Sequence, residues 1–272
     1  MILEFTKMNG AGNDFVLIDN RAQTVRLSKL EIVSLCDRHR GIGADGLILL
    51  KASQSGKADW AWDFYNSDGS TGEMCGNGAR CFARFVQTRT GKKTDFTFET
   101  EAGIIKAKFE GERVRVSLTE PGGLQLDEQL PVTAGKVTVH SLNTGVPHAV
   151  LFVPDADNAM VQQLGPEIRR HSRFAPKGTN VNFVQVLGAA HIRVRTFERG
   201  VEGETLACGT GVTASALIAS RVHRFESPVK VQVQGGDQLE VSFRETNGGF
   251  SEVQLSGPAQ FVFEGKIILP ES

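Results

Sequence analysis

With 272 residues, 40 % hydrophobic and 22 % charged, the chain has the composition of a soluble globular protein of one large or two ordinary domains. Its formal net charge of −1 gives no general attraction to nucleic acid or to anionic lipid. The absence of any run of about 18 apolar residues argues against a membrane span. The start Met1-Ile2-Leu3-Glu4-Phe5 has no charged leader, and four cysteines without secretory context suggest a reducing compartment, so a cytoplasmic location is expected.

Strand-like runs come first, Ile2 to Lys7 and Asp14 to Asp19, parted by the turn Asn9-Gly10-Ala11-Gly12-Asn13. Ser28-x-x-Glu31 is a capping box. It opens a helix carrying apolar Leu30, Val33, Leu35 and Cys36 and closed by Gly41. Strands follow at Gly46 to Leu50 and Asp59 to Asn66, then a polar loop from Ser67 to Met74, then Cys75-Gly76-Asn77-Gly78 leading into a helix. The basic stretch from Arg89 to Lys93 reads as a solvated loop. Strands near Asp95 to Thr100, Gly103 to Phe109 and Arg113 to Leu118 close the first half, and Thr119-Glu120-Pro121-Gly122-Gly123 reads as a linker.

The second half repeats this order. Strands are expected at Lys136 to Leu142 and His148 to Val153, and helical residues between Asn158 and His171. Further strands at Asn180 to Leu187 and His191 to Glu198 lead to Cys208-Gly209-Thr210-Gly211 and a second helix. Three strands follow, near Val229 to Gln234, Gln238 to Phe243 and Glu252 to Leu255, and a final strand, Gln260 to Ile268, is left to pair back with the first half. Asn9 matches Asn143 at an offset of 134, Phe15-Val16-Leu17 falls on Ala149-Val150-Leu151, and Gly43, Asn66 and Cys75 match Gly178, Glu198 and Cys208. This is a duplicated ββαββαβββ unit. The expected domains are 1–120 and 121–259, with residues 260–272 packing back on the first. Two such copies would bring their cysteine-tipped helices to one interdomain cleft, where small-molecule sites tend to form.

A Gly-x-Gly at a helix start leaves backbone N–H groups pointing outward at the positive end of the helix dipole, a setting that binds carboxylates. A cysteine at the same place has its thiolate stabilised and becomes a usable base. Two such termini could hold one carboxylate while one thiolate removes the α-proton and the opposite thiol protonates the other face. The product is inversion at carbon, with the intermediate charge held by the same N–H donors. Taken singly, either cysteine is about as well read as a buried packing residue. The turns could instead hold phosphate, but no Lys-Ser/Thr follows. Cys75 and Cys81 are six apart with no matching pair, which argues against zinc. Cys36 and Cys81 read as core residues.

The stretches Met8-Asn9-Gly10-Ala11-Gly12-Asn13-Asp14-Phe15, Asn66-Ser67-Asp68-Gly69-Ser70, Met74-Cys75-Gly76-Asn77-Gly78-Ala79-Arg80-Cys81, Glu198-Arg199-Gly200 and Glu204-Thr205-Leu206-Ala207-Cys208-Gly209-Thr210-Gly211 resemble the diaminopimelate epimerases over nearly the full chain. The resemblance implies an α/β fold of the α+β type: two pseudo-symmetric domains, each a mostly antiparallel sheet wrapped around a central helix. It implies a homodimer that interconverts LL- and meso-2,6-diaminopimelate without pyridoxal phosphate or metal. It implies Cys75 and Cys208 as acid and base, tuned by His148 and Glu198. Gly76, Asn77, Gly209 and Thr210 would hold the reacting carboxylate, with Asn13 near it, and Asn66, Asn180, Glu198 and Arg199 would bind the distal amino-acid end. The chain departs from the family pattern where Val146 and Gly46 replace Asn and Gln. Rival readings are a racemase of proline, hydroxyproline or histidine, for which Arg199 has little to bind in the proline case, and a non-catalytic amino-acid-binding protein. A phenazine-type isomerase of similar fold does not need paired cysteines.

Overall fold

The structure, a computed structural model, describes residues 2–92 and 94–269. Lys93 of the basic stretch and residues 270–272 of the C-terminal segment lie outside them. The elements in chain order are β1 (Ile2–Gly10), β2 (Asn13–Asp19), α1 (Lys29–Cys36), β3 (Gly46–Ala52), β4 (Trp60–Asn66), α2 (Gly76–Thr90), β5 (Phe96–Thr100), β6 (Gly103–Glu110), β7 (Arg113–Ser117) and β8 (Gly122–Val132). Next come β9 (Gly135–Asn143), β10 (Pro147–Phe152), α3 (Val161–Arg169), β11 (Asn180–Gly188), β12 (His191–Glu198), β13 (Gly203–Thr205) and α4 (Gly209–His223). The last four are β14 (Val229–Val233), β15 (Gln238–Thr246), β16 (Gly249–Pro258) and β17 (Gln260–Ile268). They form two compact units, Met1–Val116 with Gly257–Ser272, and Ser117–Ser256.

In the first unit β1–β2, β3–β4, β5–β6 and β6–β7 pair antiparallel, and β2–β3 and β4–β5 parallel. The second unit repeats that pattern. Antiparallel pairs are β9–β10, β11–β12, β14–β15 and β15–β16, and parallel pairs are β10–β11 and β12–β14. One further strand extends each copy: β17 lies antiparallel to β1, and β8 antiparallel to β9. The segment from Gly122, expected as a linker, is therefore a strand, with β13 a second addition. In β8, Leu124, Leu126, Glu128, Leu130 and Val132 turn inward, while Asp127, Gln129 and Pro131 are exposed.

The strands beneath the helices are buried on both faces, which explains their near-continuous apolar runs. In β2 and β3, Val16, Ile18, Leu47 and Leu49 join Ile32, Leu35 and Cys36 of α1 in one cluster. Phe15 and Ile48 face the other way, close to Gly78 of α2. The second unit matches this, with Ala149, Leu151, Val181 and Phe183 against Val161, Leu164 and Ile168 of α3. Each fully buried Leu, Ile or Phe stabilises its unit by about 1.5–3 kcal/mol. Helices α2 and α4 are buried over most of their circumference, as central helices must be. Helix α1 has its Ser28–Glu31 capping box but ends at the Asp37 cap rather than at Gly41, and its Leu30 is 80 % exposed.

The ladders also correct the register of the repeat. Asn9 pairs with Asp14 in the first unit, whereas Asn143 pairs with Pro147 in the second, so the second hairpin is one residue shorter. Phe15 opposes Gly46 in the first unit and His148 opposes Asn180 in the second. His148, not Ala149, is thus the counterpart of Phe15, and Asn182 that of Ile48.

Candidate active site

Cys75 is the N-cap residue of α2, in extended conformation, and its Sγ accepts from the Gly78 amide at 3.4 Å. Cys208 is the N-cap residue of α4, also extended, with its Sγ 3.5 Å from Thr210 Oγ1. The Gly-x-Gly that follows each cysteine is the helix's own first turn rather than a loop before it. The N–H groups of that turn have no intrahelical partner to the N-terminal side, so a carboxylate or thiolate can take them.

Glycine lets other backbone come close to both helix starts. A Cβ on Gly10 of β1 would lie 2.9 Å from the Asn77 carbonyl oxygen, and one on Gly211 would lie 2.4 Å from Asn182 Oδ1. In the first unit Gly12, at φ +87°, makes the turn that presents Asn13. Asn13 Oδ1 lies 3.6 Å from Cys75 Sγ and accepts from Asn77 Nδ2 at 3.4 Å. Arg80 is wholly buried and donates to Gly76 O, Asn77 Oδ1 and Pro258 O at 3.0–3.2 Å. Behind Asn13 is a charged cluster. Asp14 pairs with Lys7 and Arg38, and Arg38 also pairs with Asp45. Burial pushes the Asp14 carboxyl up, but the Arg38 and Lys7 contacts together outweigh it and hold the group well below the usual carboxylate range. Burial pushes the Cys81 thiol up to about 12 and that of Cys36 to about 11, which suits core residues and not bases.

The second unit has a polar floor where the first has an apolar one. Asn182, inside β11, donates to Ala149 O at 3.0 Å and accepts from Thr196 Oγ1 at 2.9 Å, which leaves its Nδ2 facing His148 Nδ1 at 3.3 Å. His148 Nδ1 is therefore the acceptor and Nε2 carries the proton, buried and without a hydrogen-bond partner among the described residues. Burial first, and then the Arg199 charge, lower the His148 pKa to about 3, so the ring is neutral. Thr144 Oγ1 donates to Thr210 O at 2.9 Å and steadies the first turn of α4.

Of the residues expected at the distal end, Asn180 Oδ1 accepts from the Arg199 amide at 2.8 Å and Glu198 Oε2 accepts from Thr205 Oγ1 at 2.8 Å. The Arg199 guanidinium lies 3.4 Å from Lys177 O. Asn66 Nδ2 donates to Ser70 Oγ at 3.0 Å in the first unit, and it stands opposite Gly46 as Asn180 stands opposite the line of Glu198. Gly46 has no room for the family's glutamine: its Cβ would be 2.8 Å from both Phe64 Cε2 and the Tyr65 carbonyl oxygen. Asp45, Arg80, Thr144 and Asn182 are not among the site residues expected from the sequence. Only the last had a signal, a polar residue in an apolar strand. Among the described residues no group of three His, Cys, Asp or Glu is placed to hold a metal ion.

A family model for diaminopimelate epimerase matches residues 5–122 and 140–262. The chain belongs to the diaminopimelate epimerase family. It is 45 % identical to a diaminopimelate epimerase of Aquifex aeolicus over 97 % of this chain and 98 % of that one. Its fold is that of a phenazine biosynthesis protein of the PhzF family from Bacillus anthracis (TM-score 0.79, 15 % identity, 99 % and 100 % of the two chains). It is also that of a probable proline racemase from Agrobacterium radiobacter (TM-score 0.74, 17 % identity, 98 % and 93 %). At such identities these two establish the fold alone.

Proposed function

We propose that this protein is a diaminopimelate epimerase that interconverts LL- and meso-2,6-diaminopimelate by two-base chemistry at one α-carbon. The observation that carries the reading is the recurrence of a cysteine N-cap, followed by a glycine-rich first helical turn, at matching places in two units of one topology. Cys75 and Cys208 act on opposite faces of the carbon. A thiolate takes the α-proton and becomes a thiol, while the other thiol gives its proton to the opposite face and becomes a thiolate. The carbon is inverted, charge is conserved, and the two sulfurs have exchanged states.

Amides of Gly76, Asn77, Gly209 and Thr210 bind the reacting carboxylate and share the charge that develops on it. Asn66, Asn180, Glu198 and Arg199 receive the distal ammonium and carboxylate, with Arg199 as the carboxylate clamp. His148 is neutral, so it acts as a fixed dipole rather than as a charge beside the α4 site. Family membership supports a cytoplasmic homodimer, testable by light scattering against the 29.5 kDa protomer.

The test is purified protein with LL-diaminopimelate in heavy water, without added pyridoxal phosphate. Meso product carrying α-deuterium is expected, and Cys75→Ala and Cys208→Ala each lower the rate by about a hundred- to ten-thousandfold. Full activity in either variant, or no deuterium in wild-type turnover, would sink the two-thiol mechanism.

A further inference from the structure

The turn Gly43-Ala44-Asp45-Gly46, which has no part in the chemistry above, reaches Cys75 through one side chain. Asn13 Nδ2 lies 2.6 Å from Asp45 Oδ2, and Asn13 Oδ1 faces Cys75 Sγ and Asn77 Nδ2. The far end of the chain is fixed as well, since Arg80 donates to Asn77 Oδ1 at 3.0 Å. A guanidinium only donates and a carboxylate only accepts. The order Arg80, Asn77, Asn13, Asp45 therefore has a single direction, and both amides are locked in one orientation. Two further donors, the Asp14 amide at 3.1 Å and Arg38 at 2.8 Å, hold the Asp45 carboxylate in place.

That orientation matters because Asn13 turns an oxygen, not an N–H, toward the sulfur. An oxygen can receive S–H and repels a thiolate, whereas the Gly78 amide on the same sulfur favours the thiolate. We propose that Asp45 is a positioning residue that keeps the Asn13 oxygen on Cys75 and so stabilises the protonated thiol against the pull of the Gly78 amide on the same sulfur. The proposal rests on the two-thiol reading for its catalytic meaning, but not for its test. The charged and titratable groups described along this chain of contacts are Arg80 and Cys81 on α2, Asp14 on β2, Lys7 on β1, and Arg38 and Asp45 between α1 and β3.

The experiment is the pH dependence of iodoacetamide alkylation at Cys75, followed by peptide mass in a Cys208→Ser background, which needs no turnover. Without Asp45, Asn13 is held only by the long 3.4 Å contact from Asn77 Nδ2, which one turn of the amide can exchange for a contact from Nδ2 to the sulfur. Asp45→Ala is thus expected to move the alkylation midpoint down by about 1 pH unit, the worth of one hydrogen bond to a charged group. Asp45→Asn keeps an acceptor oxygen while removing the charge, and is expected to retain the wild-type midpoint. Equal shifts in the two variants would mean that Asp45 acts by charge, and no shift in a folded Asp45→Ala would mean that it does not act on Cys75; either result overturns the proposal. An arm that needs no change at residue 45 is the infrared S–H stretch of Cys75, assigned by its loss in Cys75→Ser. A hydrogen-bonded frequency that rises in Asn13→Ala supports the proposal, and a free-thiol frequency in the Asn13 protein overturns it. Absence of epimerase activity in the unsubstituted protein, with these results intact, would fault the proposed function and leave the positioning role standing.

Discussion

Buried His148 makes the stability of the second unit depend on solution pH. Its pKa is about 3 in the folded protein against 6.5 for an ordinary histidine, chiefly because it is buried and secondly because of Arg199. Below pH 6.5 the unfolded chain binds a proton that the folded one refuses. Stability is therefore lost as pH falls from 6.5 toward 3, at about 1.4 kcal/mol per pH unit. His148→Gln is expected to flatten that part of the dependence in urea unfolding at pH 7, 5.5 and 4.5. Parallel wild-type and variant curves would show that the histidine is not what couples stability to acid. This residue also marks what the sequence could convey. The two cysteines and their glycines were legible because a duplicated motif repeats its residue types. The His148–Asn182 pair was hidden, because a one-residue contraction of the β9–β10 hairpin slides every side chain across the pleat. Asp45 could not be found at all from spacing, since its role depends on which atom of Asn13 turns toward the sulfur.

At the scale of elements, the helix N-caps were the most readable features and the strands without strong alternation the least. The Ser28 hydroxyl accepts from the Glu31 amide at 3.3 Å, and Glu31 Oε2 returns to the Ser28 amide at 2.7 Å. Ser28→Ala is expected to cost the first unit about 1 kcal/mol, seen as a lower thermal midpoint with the fold unchanged. An unaltered midpoint would mean that α1 is held by Ile32, Leu35 and Cys36 alone. The apolar content of α1 was misleading in detail, because Leu30 sits in its first turn on the solvent side. Strand β8 was passed over for the opposite reason. Its Gly-Gly start and Pro131 are punctuation marks in a sequence, yet Pro131 is exposed and the inward positions alternate without a break. The strands under the central helices read clearly because burial on both faces filled them mostly with Val, Ile, Leu and Phe, with His148, Asn180 and Asn182 as the buried polar residues of β10 and β11.

At the scale of the molecule, the duplication explains why the fold could be read at all: each ambiguous segment in one half has a counterpart in the other. The exception is the outermost strand. In the second unit β8 precedes β9 directly, while in the first the same place beside β1 is filled by β17, from the other end of the chain. Phe263 meets Phe5 edge-on at 5.8 Å, and Gly265 gives the Phe5 ring its room. Removing residues 260–272 is expected to uncover Leu3 and Phe5 and to lower the thermal midpoint by several degrees, with aggregation on unfolding. A truncated protein as stable as the full chain would show that β1 does not depend on β17.

That strand exchange has a consequence for biosynthesis. A nascent chain emerges from its amino end, and the segment from β8 to β16 can complete its own sheet as it appears. The first unit cannot, because its last strand is the last to be made. Translation from Ser117 to Ile268 lasts on the order of ten seconds or more, and throughout it the free edge of β1 offers unpaired N–H and C=O groups to any strand that passes. The half that is synthesised first is the half that is finished last, and in that interval the cell's chaperones have the most to guard.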